Sequence, residues 1–217
     1  IVGHHFNPKI LSINHVATLG WITMIIFGAM FQLVPVVLET KLFSEKLAEI
    51  QFWIYLPGVI GLVYCFWVFD TGINMTFSAV LLNLAMFIFS FNIIITMKSV
   101  KKWNVTAWYL EAAIFYLIVT AIAGLLLAIN LWTPYVKLDH LQYLNLHAHI
   151  AFIGWVSMVI MGVSFKLIPM FTLSHGFSLT NAKLAFWILN VGLLGISTIM
   201  HYKDTTFLYY IFTGLIV

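Results

Sequence analysis

The fold of this protein is decided by a long apolar run near the N-terminus, NHVATLGWITMIIFGAMFQLVP, at residues 14–35. The run contains no aspartate, glutamate, lysine or arginine. About 20 consecutive apolar residues in a helix cross the hydrocarbon core of a bilayer. A helix is required there because lipid offers the backbone no hydrogen-bonding partners. The run therefore predicts a transmembrane helix.

Similar runs fill most of the chain. Its 217 residues are 63% hydrophobic and only 8% charged, whereas a soluble domain is about 25% charged. The net charge of +3 belongs to loops, so we expect a lipid bilayer and no nucleic acid as partner. The composition predicts an all-α, polytopic transmembrane helix bundle, and both ends of the chain are expected to continue. About seven spans are visible: six at Ile10–Leu38, Glu49–Phe69, Asn74–Met97, Thr106–Leu131, Asp139–Phe171 and Asn181–Met200, and a seventh that begins near Thr206.

The lysines predict how the spans are oriented. Loops on the cytoplasmic side of a membrane carry an excess of basic residues. The side where odd-numbered spans end carries most of the lysines: Lys41, Lys46, Lys98, Lys101, Lys102 and Lys183. We therefore expect that side to face the cytoplasm of a bacterial inner membrane. The spans that begin near His15 and His149 then start at the outer face.

The first and fifth spans contain an internal repeat. Residues 14–35 match residues 148–169 at a constant offset of 134, and both copies run in the same direction. The repeat copies lie near 10–38 and 144–171. At about 100° per residue, the glycines and the methionine of the first copy point away from its histidine, as a stripe suited to close helix packing. The identical pairs include His15 and His149, Gly20 and Gly154, Trp21 and Trp155, Met24 and Met158, Gly28 and Gly162, and Pro35 and Pro169.

The matched histidines are the candidate functional residues. A histidine within a membrane span pairs, coordinates a metal or lines water. One interpretation is a hydrogen bond from each ring to a neighbouring carbonyl or hydroxyl. The other is metal ligation, because imidazole binds haem iron, zinc and copper. No thiolate or carboxylate is near in sequence, which argues against structural zinc. Two imidazoles, His15 and His149, suit the axial positions of one haem, a six-coordinate centre that passes electrons.

A third histidine, His147, lies two residues before His149 and faces a different neighbour. It is on the same side of the helix as Gly154, where a glycine could leave room for a second flat cofactor. The first copy has Ile13 at this position, so such a site is not duplicated. A hydrogen bond from His147 to another helix remains an equal alternative.

The chain resembles a known family in these segments. The motif HAHIAFIGW at 147–155, followed by Met158, Gly162 and LIP at 167–169, looks like the tenth helix of the catalytic subunit of haem–copper oxidases, and the C-type oxidases are closest. The segment from His15 through Pro35 to the Phe52-Trp53 and Leu56-Pro57 pairs is similar to the second helix and the loop after it. The third and fourth spans have no assigned counterpart.

The resemblance implies roles for three histidines. In that family the histidine of the second helix and the second histidine of H-x-H bind a low-spin haem, which corresponds to His15 and His149. The first histidine of H-x-H binds a high-spin haem, which corresponds to His147. Basic residues after the next helix hold the haem propionates, and His201 and Lys203 occupy that place. An ordinary loop lysine is the alternative for Lys203.

The copper site of the family has no counterpart in this sequence. That copper is held by three histidines on intervening helices, but there is no histidine between His15 and His140. Only three spans separate the matched helices, where the family has seven. We therefore expect a reduced relative of haem–copper oxidase subunit I, one transmembrane domain over residues 1–217, rather than a terminal oxidase or nitric oxide reductase.

The expected function is electron transfer, or sensing of a gas or of redox state, through a haem b held by two histidines. A redox partner or other respiratory subunits would approach from the outer side, and a homo- or hetero-oligomer is compatible with the sequence. Copper is a possible cofactor but is not favoured. His4, His5 and His140 lie on the outer side, either as ligands of copper or of a haem propionate or, as is commoner, as solvated loop residues. Two alternatives are a haem- and copper-containing membrane protein of the nitric-oxide response and an accessory structural subunit of a respiratory complex.

Overall fold

The computed structural model describes residues 7–135, 140–174, 178–199 and 206–216. In these residues the chain is helical and contains no strand. Helix α1 consists of Pro8–His15, a π-helical Val16–Thr23 and Met24–Val37. Helix α5 consists of His140–His149, a π-helical Ile150–Ser157 and Met158–Thr172. The other helices are α2 (Glu45–Val68), α3 (Ile73–Lys98), α4 (Val105–Trp132), α6 (Leu179–Ile199) and α7 (Thr206–Gly214).

Within the described residues, α1 to α6 are long and apolar enough to cross a membrane. The prediction of an all-α transmembrane bundle is confirmed. Along these helices many large apolar side chains are exposed, among them Trp21, Trp53 and Ile60. Such side chains are stable when the surrounding medium is lipid, so this chain is an integral membrane protein.

Local capping accounts for the observed helix ends. Ser44 has an extended backbone, and its hydroxyl accepts a hydrogen bond from the Leu47 amide at 3.2 Å. Ser44 is thus the N-cap, and Glu45 in the first turn complements the helix dipole. Helix α2 therefore begins four residues before the predicted Glu49. It ends at Phe69, whose left-handed backbone (φ 56°) stops the helix.

The chain divides into two compact units. The first contains Ile1–Ser99 and Ala121–Leu138, and the second contains Val100–Thr120 and Asp139–Val217. In the first unit, α2 and α3 approach closely where Gly58 and Gly61 face Leu82 and Ser78. The largest fully buried side chains of the first unit are Tyr55, Phe89, Met30, Met75 and Ile93; those of the second are Trp155, Tyr109, Leu110, Ile114, Leu117, Met158 and Leu193.

The connection between α1 and α2 is anchored to α3 by Asn92. Its side-chain amide donates to the carbonyl of Ser44 at 2.7 Å and accepts from the amide of the same residue at 3.1 Å. The Thr96 hydroxyl accepts a further bond from the amide of Phe43 at 3.0 Å. Asn92 is fully buried, so its two reciprocal bonds satisfy backbone groups that water cannot reach.

The connection between α2 and α3 is held by Asp70. Its carboxylate accepts hydrogen bonds from the side-chain amide of Asn74 at 2.8 Å and from the backbone amide of Gly72 at 3.2 Å. Because both bonds favour the ionised form, with that from Asn74 the stronger, the pKa of Asp70 is lowered from its usual value of 3.8.

Candidate functional site

His15 lies at the last position before the π-helical segment of α1. Its ring is half-buried, and it packs on Phe66 of α2 with the ring centroids 4.6 Å apart. The Nδ1 atom is 2.7 Å from the carbonyl oxygen of Leu11, one turn earlier. Packing and hydrogen bonding together restrict the orientation of this imidazole.

His149 has the corresponding position and hydrogen bond in α5. It lies directly before the π-helical segment of that helix. The ring is half-buried, and its Nδ1 atom is 2.7 Å from the carbonyl oxygen of Asn145, again four residues earlier. Both histidines therefore have the same local geometry, although one belongs to the first unit and the other to the second.

The two hydrogen bonds determine which ring nitrogen is available. A carbonyl oxygen can only accept, so Nδ1 must carry the proton in each ring. In the neutral imidazole the Nε2 atom then has a lone pair. Among the residues that the structure describes, none hydrogen-bonds to Nε2 of His15 or His149. A histidine that binds a metal typically donates its other N–H to a backbone carbonyl in this way, so the donor chemistry fits a haem iron ligand.

The backbone after each histidine also has the same conformation in both helices. Each π-helical segment is eight residues long, and their positions differ by 134. A left-handed residue follows each helix at equivalent positions: Glu39 lies two residues after the end of α1 and Leu173 directly after α5, both with φ 52°. The next amides, of Thr40 and Ser174, donate to the carbonyls of Pro35 and Pro169. π-Helical segments are rare and occur frequently at functional sites.

The π-helical segments correct the angular expectation from the sequence. In a π-helix each amide bonds to the carbonyl five residues earlier, so successive side chains rotate by less than the 100° of an α-helix. The direction predicted for Gly20 relative to His15 assumed 100° per residue, and that rotation does not apply across this segment. The expected packing stripe is also incomplete, because a Cβ added to Gly28 would meet no atom within 4 Å.

His147 is half-buried in α5, and the space that Gly154 was expected to leave is filled. A Cβ added to Gly154 would lie 2.5 Å from Cγ of Tyr116, on α4. The Tyr116 hydroxyl donates to the Asn190 side chain on α6 at 2.9 Å. The expectation that Gly154 leaves room for a second flat cofactor is wrong, since an aromatic ring of the protein already occupies this position.

A second tyrosine repeats this arrangement, and neither was predicted. A Cβ added to Gly162 would lie 2.8 Å from Cβ of Tyr109, whose hydroxyl donates to the carbonyl of Ala182 on α6 at 2.9 Å. Tyr109 and Tyr116 are seven residues apart and Gly154 and Gly162 are eight apart. These similar spacings are the sequence signal that could have revealed the contact. The tyrosines hold the helix that carries His149.

Several predicted residues are not placed by the structure. His201 and Lys203, the expected propionate partners, lie outside the described residues, and so do His4 and His5. His140 begins α5, but its side chain is also outside the described part. In the rest of the chain, no group of three or more histidine, cysteine, aspartate or glutamate side chains is arranged to hold a metal ion.

Comparison with known proteins identifies a relative of this chain but does not assign it to a family. No protein-family profile matches this sequence. A protein of Aquifex aeolicus (strain VF5), described as an uncharacterized protein, is 25% identical over 205 residues. The match covers 88% of this chain and 49% of the relative. The chain thus spans about half the length of the curated relative it matches.

Proposed function

We propose that this chain is a haem-b-binding membrane protein that transfers electrons, or senses a gas or redox state, with His15 and His149 as the axial ligands of one haem. The observation that carries the proposal is the matched pair of 2.7 Å bonds from Nδ1 to the carbonyls of Leu11 and Asn145. The pairing of both imidazoles on a single iron rests on the sequence repeat and on the resemblance to haem–copper oxidase subunit I.

The protein residues would act on the bound group in two ways. The Nδ1–H bonds orient each imidazole and increase the basicity of Nε2, which is the usual effect of a backbone acceptor on a metal-binding histidine. The apolar side chains of the surrounding spans lower the local dielectric and exclude water, which tunes a reduction potential. A haem in such surroundings supplies a one-electron couple between ferrous and ferric iron.

The proposal includes a location and partners. The lysine distribution supports insertion in a bacterial inner membrane with His15 and His149 near the outer face. Electron donors or acceptors, either soluble proteins or other respiratory subunits, would then approach from that side. His201 and Lys203 remain the proposed partners of the propionates.

The test is a reduced-minus-oxidised visible spectrum of the purified protein, recorded with and without carbon monoxide. We expect one haem b per chain with sharp bands that carbon monoxide does not change. His15→Ala and His149→Ala should each abolish the low-spin bands, while His147→Ala should leave them unchanged. The melting temperature of each variant, measured in the same detergent, shows whether a spectral loss reflects unfolding.

Three results would overturn the proposal. If the purified protein is colourless and still binds no haem after reconstitution, the alternative of an accessory structural subunit is favoured. Copper at a stoichiometry near that of haem would favour the alternative nitric-oxide response protein. A carbon monoxide shift of all the bound haem that disappears in His147→Ala would show that the haem is held by His147 with an open iron position, and not by two imidazoles.

A further inference from the structure

A cavity of about 240 Å³ lies within the first unit, between the Met24–Val37 part of α1 and the start of α2. Its walls are apolar and rich in aromatic rings. At Gly28 it reaches the backbone of α1, because a Cβ built there would meet no atom within 4 Å. Gly28 and Phe52 are both exposed, so the cavity opens on a lipid-facing surface. The apolar walls are formed by Met24, Phe27, Phe31, Ala48 and Phe52.

One polar side chain in the wall has no hydrogen-bonding partner among the residues that the structure describes. Gln51 is only 2% exposed, yet its side-chain amide makes no hydrogen bond to any residue that the structure describes. The other polar wall residue is satisfied, since the Tyr55 hydroxyl donates to the carbonyl of Leu19 at 3.0 Å. Burying an amide without a partner is unfavourable. Gln51 is therefore the group in this cavity that a ligand would satisfy.

The size and shape of the cavity restrict the ligand. A cavity of about 150 Å³ holds benzene, so this one accommodates a single substituted ring and is too small for a porphyrin. Phe27 packs edge-on to Tyr55, with centroids 5.2 Å apart and planes at 71°. Aromatic walls of this kind favour an aromatic guest through edge-to-face contacts.

We propose that this cavity binds the headgroup of a membrane-dissolved, single-ring quinone or quinol whose ring oxygen hydrogen-bonds to Gln51. A carboxamide suits both redox forms of such a ring. Its N–H groups donate to a quinone carbonyl, and its oxygen accepts from a quinol hydroxyl. An aliphatic tail would leave past Gly28 and Phe52 into the lipid. The proposal concerns binding alone and does not depend on haem.

Isothermal titration calorimetry of the purified chain with 2,3-dimethoxy-5-methyl-6-decyl-1,4-benzoquinone tests this proposal. We expect saturable binding by the wild type and about tenfold weaker binding by Gln51→Leu, which removes the amide at similar volume. Gly28→Leu fills the cavity and should abolish saturable binding. Gly20→Ala is the matched control on the same helix. Its added Cβ makes an ordinary 3.6 Å contact with Val59, and binding should be unchanged.

The outcomes decide between the proposal and its rivals. Decylbenzene has the ring and tail but no oxygen, and it should bind at least tenfold more weakly than the quinone. Equal binding of the two probes would show that the cavity takes hydrocarbon chains and that Gln51 has no role. Quinone binding that survives Gly28→Leu in a folded variant would place the ligand elsewhere. The absence of saturable binding by the wild type would refute the site altogether.

Discussion

The contact between Gly154 and Tyr116 makes the sharpest prediction about this fold. Gly154 and Gly20 are equivalent in the repeat, but their surroundings differ. A Cβ at Gly154 would lie 2.5 Å from Cγ of Tyr116, whereas a Cβ at Gly20 would lie 3.6 Å from the nearest atom of Val59. The same substitution to alanine should therefore have opposite effects at the two positions.

The expected magnitudes follow from these distances. Replacing glycine by alanine inside a helix gains about 0.5–1 kcal/mol, and at Gly20 nothing opposes this gain. At Gly154 the added methyl group overpacks the interface, which costs about 1–3 kcal/mol. Displacing the Tyr116 ring also breaks its hydrogen bond to Asn190, which costs about 0.5–1.5 kcal/mol. Gly154→Ala should be less stable than wild type by roughly 1–3 kcal/mol.

Thermal unfolding in detergent, followed by tryptophan fluorescence, measures the difference. For a chain of this size, 1 kcal/mol corresponds to a shift of about 2–4 °C in the midpoint. Gly154→Ala should unfold about 5 °C below wild type, and Gly20→Ala at or slightly above it. Gly162→Ala and Gly28→Ala form a second matched pair, with the same expected contrast.

A double variant separates this contact from general damage to the helix. Gly154→Ala combined with Tyr116→Leu should recover part of the stability that Gly154→Ala loses, because the aromatic ring that overlaps the added methyl group has been removed. Equal midpoints for Gly154→Ala and Gly20→Ala would refute the reasoning. So would a double variant whose loss is the sum of the two single losses.

Three further predictions concern single hydrogen-bonding groups. Asn92→Ala removes both bonds to Ser44 and should lower the free energy of unfolding by roughly 1–3 kcal/mol, measured by denaturant titration. An unchanged free energy of unfolding would contradict the role of Asn92 as the anchor of this connection. The destabilisation by Asp70→Ala should be largest above the usual carboxyl pKa of 3.8. It should shrink as pH falls below that value and through the lowered pKa of the folded protein, because the folded carboxylate then becomes protonated as well. Unfolding midpoints should therefore approach that of wild type as the pH is lowered from about pH 6, and a constant gap would exclude the bond to Asn74 as the cause. Tyr116→Phe keeps the ring on Gly154 and should cost only about 0.5–1.5 kcal/mol, measured as a smaller midpoint shift than that of Gly154→Ala.

Only part of the candidate site could be predicted from the sequence. The equivalence of His15 and His149 follows from the constant offset of 134, and both rings make the same bond to a carbonyl four residues earlier. Tyr116 was not predicted, because its role depends on which helix packs on α5. Gln51 was not predicted either. In the sequence, a glutamine near the start of a helix is indistinguishable from an ordinary interfacial residue. Only the structure shows that neighbouring aromatic rings enclose it.

The sequence by itself determined where the chain crosses the membrane. Charge-free runs of this length must be helical, since lipid leaves the backbone no other partner. The tertiary structure decided which glycine contacts a side chain of another helix and which glycine lines a cavity. Gly28 and Gly162 have the same place in the repeat, yet one faces open space and the other faces Tyr109. A repeat specifies the local conformation of its own residues, but the atoms they meet belong to other segments of the chain, and those segments are not repeated.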